Sequence, residues 1–202
     1  DASGLAGATM GHFRPELIVE DPDLAEQPVR VKFSSLASQA VGPPLSDFEM
    51  SFDGRNWPKI GKKLLQAGVT PLANQLVDPT DSVLGPYSNQ GGSECSAPTA
   101  VGKPGLCISY PELIGLAFRD DLHSNAGQHL NGAPAVCTDT DANGFPIPQG
   151  CDPFDGYVLA IAAGAASAGD TSQFTQMEAN FSTFFGLAVQ MYEELTIPDD
   201  TP

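Results

Sequence analysis

"TSQFTQMEANFSTFFGLAVQMYEELTIP", residues 171–198, decides how the rest of the chain is read. Phe174, Met177, Phe181, Phe184 or Phe185, Ala188, Met191, Tyr192 and Leu195 recur at steps of three and four, the spacing that lays one apolar stripe along an α-helix. Pro198 ends the pattern, since proline has no N–H to donate and its ring clashes with the preceding turn. The stripe predicts one long amphipathic helix facing a core, although Met and Phe at this spacing also suit the flank of a cofactor.

Working outward, "YPELIGLAF" (110–118) has Pro111 in its first turn and predicts a helix over Tyr110–Arg119. "WPKIGKKLLQAG" (57–68) carries Ile60, Leu64 and Leu65 on one face and predicts a helix from Pro58 to Gly68. "SLASQAV" (35–41) reads as a short helix from a Ser cap, stopped by Gly42, Pro43 and Pro44. "TPLANQLVDPTDSVL" (70–84) predicts another short helix before a Pro-Asp turn. Weak alternation in 16–35 predicts short strands at Leu17–Val19 and Val29–Phe33. Gly85–Gly105 and residues 123–157 are rich in turn formers and read as long loops. The expected fold is mainly α, with short helices, long irregular loops and few short strands.

Nine basic residues against 25 acidic ones give a net charge of -16, which repels nucleic-acid phosphates and anionic lipid. Such a field can steer a basic electron carrier or simply keep a secreted protein in solution. No apolar run is long enough to span a membrane as a helix. The chain begins at Asp1, as a processed or excised polypeptide does. Cys95, Cys107, Cys137 and Cys151 fall into two close pairs, neither of them CxxC and none with His at zinc spacing. Two local disulfides are expected, each contributing about 3 kcal/mol through the unfolded state. They imply a periplasmic or extracellular location.

"SLASQAVGPPLSDFEMS" (35–51), "SFDGRNWPKIGKKLL" (51–65), "TPLANQLVDPTDSVLGP" (70–86) and "ANFSTFFGLAVQMYEELTIPDDTP" (179–202) together resemble the bacterial di-haem cytochrome c peroxidases, in particular their long, insertion-containing members. The resemblance implies a cytochrome c-like peroxidase domain segment. In that family a Gln, a Pro four residues on and a Glu-Met six residues later line the peroxidatic haem; here they are Gln39, Pro43, Glu49 and Met50.

By resemblance Glu49 is the distal acid/base that moves a proton between the two oxygens of hydrogen peroxide. Gln39 orients the substrate, Pro43 keeps the iron's sixth position clear, and Met50 and Pro44 lie beside the haem. A carboxylate in a poorly solvated pocket suits that proton shuttling. Without the resemblance, the same residues read as an exposed turn, a helix-surface amide and a helix stop.

The family's two CxxCH motifs, one before and one after this segment, are absent here. Its inter-haem Trp precedes the Gln, whereas Trp57 follows Glu49, and His12, His123 and His129 lie in no haem-ligand motif. The expectation is therefore a segment of a longer chain, with haem c attached outside it and inactive alone. The implied partners are the haem-bearing remainder and a small donor cytochrome or copper protein. The expected divisions are 1–84, a distal-pocket part; 85–170, a disulfide-stapled insertion; and 171–202, a helix and linker toward a following haem domain.

"DTDANGF" (139–145) offers Asp139, Asp141, Asn143 and the Phe145 carbonyl to a hard cation such as calcium, as an EF-hand opening does. The twelfth position is Gly150 rather than Glu, leaving Asp152 and Asp155 to complete a different site; an acidic hairpin tip is the alternative. The competing function is thus a haem-free, calcium-stabilised extracellular binding or structural module.

Overall fold

In a computed structural model of the chain, the described residues are 16–28, 31, 34–46, 49–51, 55–96, 98–134, 139–140, 146–147 and 157–196. They sort into two compact units, one drawn from 1–61 and 119–202, the other from 62–118.

Among the described residues of the first unit, β1 (Glu16–Glu20) comes first in the chain, where Leu17, Ile18 and Val19 favour the pleat. A turn at Asp21–Asp23 returns the chain at once into β2 (Leu24–Pro28), antiparallel with Ile18 opposite Glu26. β2 lies just before the expected strand at Val29–Phe33, of which Val29, Arg30, Lys32 and Phe33 lie outside the described residues.

β3 (Gln128–Pro134) pairs antiparallel with β6 (Tyr157–Ala163) and with β7 (Gln173–Phe174), Leu130 facing Ile161 on one side and Phe174 on the other. β4 (Asp139–Thr140) and β5 (Pro146–Ile147) form a separate two-residue ladder. Ile18, Leu24, Leu130, Leu159, Phe174 and Ala179 from these strands and the following helix bury one core. The mainly α, cytochrome c-like expectation is thereby corrected: the fold is mixed α/β, with antiparallel sheets beside short helices. "QHLNGAP" has Asn, Gly and Pro where a strand signal needs β-branched residues, so its strand state comes from its long-range pairing with β6.

The expected single helix over 171–198 is also broken. Phe174 joins the sheet, and Thr175 opens α4 (Gln176–Ala179) with a capping box closed by Glu178. α5 (Phe181–Leu195) follows. Between the two helices, the Asn180 side chain accepts the Ile18 N–H at 2.9 Å and donates to the Ile18 and Leu122 carbonyls at 2.8 Å. The apolar stripe is core through Phe181 and Phe184, whereas Met191, Tyr192 and Leu195 are exposed.

α1 (Ser35–Ala40) stops at Gly42 and the 3-10 turn Pro43–Leu45, as the prolines dictate. Its Ser34 hydroxyl donates to the Val31 carbonyl instead of capping the helix. α1 packs on α5 at Gly186, where a Cβ would lie 2.8 Å from the Ala37 carbonyl oxygen. α2 (Trp57–Leu64) begins one residue before Pro58, with the Asn56 Oδ1 accepting the Lys59 N–H at 3.0 Å. Trp57 packs against Phe181 and Phe185 of α5, at ring-centroid distances of 6.2 and 5.2 Å.

In the 62–118 unit, residues 70–84 form turns rather than a helix. Asp78 accepts from the Thr80 N–H and hydroxyl, and Asp81 from the Val83 and Leu84 N–H groups; these local bonds compete with helical ones. The expected surface loop over 85–105 has a buried side of its own. Ser88 is fully buried and donates to the Val77 carbonyl at 2.6 Å, and Asn89 donates to the Pro104 carbonyl. Val77, Leu106 and Ile108 form the local core, joined by Leu72, Leu84, Tyr87 and Leu113. Cys95 and Cys107 are disulfide-bonded, with Cα atoms 5.6 Å apart. α3 (Tyr110–Ala117) starts with the Ser109–Glu112 capping box. Among the described residues no helix is long and apolar enough to cross a membrane.

Candidate functional site

The segment from Gln39 to Ser51 leaves the α1–α5 contact and returns to α2. Gln39 is exposed on the last turn of α1, and Val41 behind it is fully buried. Pro43 and Pro44 are half-buried in the 3-10 turn, and Leu45 closes that turn into the interior. The chain then reverses around one acceptor: the Ser46 carbonyl takes the N–H groups of Glu49, Met50 and Ser51 at 3.0, 3.1 and 3.0 Å.

Both ends of the segment are tied to the start of α2. The Trp57 indole N–H donates to the Val41 carbonyl at 3.1 Å, and Arg55 Nη1 donates to the Met50 carbonyl at 2.9 Å. Two side chains two positions apart thus hold Val41 and Met50, the flanks of the loop carrying Pro43, Pro44 and Glu49. Glu49 is exposed, and Met50 keeps 66% of its surface open. The described residues therefore form no closed pocket around the carboxylate.

Of the residues the resemblance singles out, Gln39, Glu49 and Met50 are exposed and Pro43 and Pro44 are half-buried. They do not fit an attachment site, because the sequence has no CxxCH. His129 is buried, its ring nitrogens 2.8 Å from the Gly164 carbonyl and 3.2 Å from the Asn131 side-chain oxygen. His123 lies 3.7 Å from Asp120 with its side chain 9% exposed.

The calcium candidates are not brought together by what the structure describes. Asp139 is described only as a backbone position in β4, and Asp141, Asn143 and Phe145 lie outside the described residues, as do Cys137, Cys151, Asp152 and Asp155. Among the described residues no cluster of three or more His, Cys, Asp or Glu side chains is arranged to hold a metal.

Arg55 and Trp57 are the site's contributors that sequence reading missed. A single Trp before a helix reads as core, and nothing local ties an Arg to a carbonyl five residues back. No family model matches the chain, and neither the curated proteins nor the solved structures include a match.

Proposed function

We propose that this chain is a segment of a di-haem c-type peroxidase that reduces hydrogen peroxide with electrons from a small redox protein, with Glu49 as the distal acid/base. The observation that carries the reading is the braced turn: Glu49 and Met50 stand open to their surroundings on a loop anchored at both ends by Arg55 and Trp57.

A haem held against this face by other polypeptide would supply the two electrons that break the O–O bond, to be replaced by two from the donor protein, with two protons from solvent completing two waters per peroxide. Glu49 takes a proton from one peroxide oxygen and returns it to the other, so that water leaves. Gln39 hydrogen-bonds the substrate, and Pro43 and Pro44 hold the wall in place without a rotatable φ. The net charge of -16 favours a basic partner surface on the electron donor, a small cytochrome or copper protein. The Cys95–Cys107 disulfide supports a periplasmic or extracellular setting.

The test is Glu49→Gln in the native haem-bearing protein. Peroxide turnover should fall about a hundredfold or more with the haem spectrum unchanged, the loss expected for a general acid/base. Unchanged turnover would remove Glu49 from this role.

A further inference from the structure

Within the braced turn, Arg55 reaches the carbonyl of the residue that follows Glu49. Among the described residues, the three amides of 49–51 converge on the Ser46 carbonyl, and Arg55 bonds the Met50 carbonyl. Trp57 holds the opposite flank from within the core, where it is 2% exposed and packed on Phe181 and Phe185. Arg55 is only partly buried, so its bond contributes to the placement of the turn more than to the burial of apolar surface.

We propose that Arg55 is the positioning residue for Glu49, its guanidinium fixing the turn through the Met50 carbonyl. This rests on the peroxidase reading above. Arg55 touches no reacting atom in this role; it restricts where the carboxylate sits. A guanidinium suits the task because its planar fork keeps a carbonyl in one direction, whereas an ammonium on a flexible stem does not.

The experiment uses the native haem-bearing protein with Arg55→Met, Glu49→Gln and the double variant, read by peroxide turnover and by hydrogen exchange of the 46–51 backbone. In Arg55→Met, the amides of Glu49, Met50 and Ser51 should exchange about tenfold faster while those of α5 are unchanged, and turnover should fall about tenfold. Adding Arg55→Met to Glu49→Gln should lower turnover by less than about twofold more, because both act through one group.

Unchanged exchange and turnover in Arg55→Met, with Glu49→Gln disabled, would overturn the positioning role and leave the peroxidase reading standing. A further tenfold loss in the double variant would also overturn it, since Arg55 would then act other than through Glu49. Full turnover in Glu49→Gln would instead sink the underlying reading. If Arg55→Met does not fold, Arg55→Lys carries the same criteria, with a smaller loss expected in the same amides.

Discussion

The Trp57 indole N–H donates to the Val41 carbonyl across 3.1 Å of the interior, and both residues are buried. This bond ties the end of α1 to the start of α2, while the ring itself packs on α5. Trp57→Phe keeps much of the ring contact and leaves the Val41 carbonyl without that donor. The expected cost is about 1–2 kcal/mol, measured by urea unfolding. An unchanged midpoint would mean that another group takes over the carbonyl.

Gly186 is where α1 and α5 come closest. An alanine Cβ would meet the Ala37 carbonyl oxygen at 2.8 Å and the Val41 Cγ1 at 3.1 Å. Helix propensity favours Ala over Gly by about 1 kcal/mol. The obstacle is backbone and cannot rotate away, so overpacking of about 1–3 kcal/mol prevails and Gly186→Ala destabilises. Gly127→Ala is the control: open space surrounds that position, and stability there should hold or rise slightly.

Asn180 serves three backbone groups at once, the Ile18 N–H, the Ile18 carbonyl and the Leu122 carbonyl, and is 2% exposed. Asn180→Ala strands all three and should cost about 3 kcal/mol or more. Asn180→Asp keeps an acceptor for the Ile18 N–H but has no donor for the carbonyls, so it should not restore stability. Thermal melts of the two variants compare them directly.

Acid should weaken the 62–118 unit. The Thr80 N–H and then its hydroxyl hold Asp78 below the usual carboxylate value of 3.8, and the Leu84 and then Val83 N–H groups do the same for Asp81. The Ser109 hydroxyl and N–H lower Glu112 from 4.5. With folded values below unfolded ones, the unfolded state binds more protons as pH falls. Stability from these groups is therefore complete above about pH 5 and declines as pH drops through 4.5 and 3.8 toward the folded values. Asp81→Asn keeps an acceptor oxygen without titrating, so its unfolding midpoint should fall less steeply between pH 5 and pH 3. An equally steep fall would assign the acid sensitivity to other carboxylates.

Local signals carried much of this fold. The proline stop after α1, the start of α3 at Tyr110 with Pro111 in its first turn, and the strand at Leu17–Val19 follow from backbone sterics and short-range pattern. What sequence reading lost is long-range. β3 looks like loop because Asn131, Gly132 and Pro134 interrupt it, and it exists through its pairing with β6. The helix break at Asn180 is invisible locally because its partners, Ile18 and Leu122, are remote in sequence. The 70–84 stretch misleads in the opposite way: its apolar spacing suits a helix, but Asp78 and Asp81 bond their own backbone first. Gln39, Pro43, Glu49 and Met50 were singled out only through the family resemblance, and the bonds from Arg55 to the Met50 carbonyl and from Trp57 to the Val41 carbonyl have no local sequence signal.

The most direct test is a visible absorption spectrum of the natively purified protein that contains this segment, with intact mass recorded on the same sample. A Soret band together with masses for covalently attached c-type haem is the expected result, and it would put Glu49 and peroxide turnover next. A colourless protein whose mass is that of polypeptide alone would contradict a haem peroxidase role for this chain.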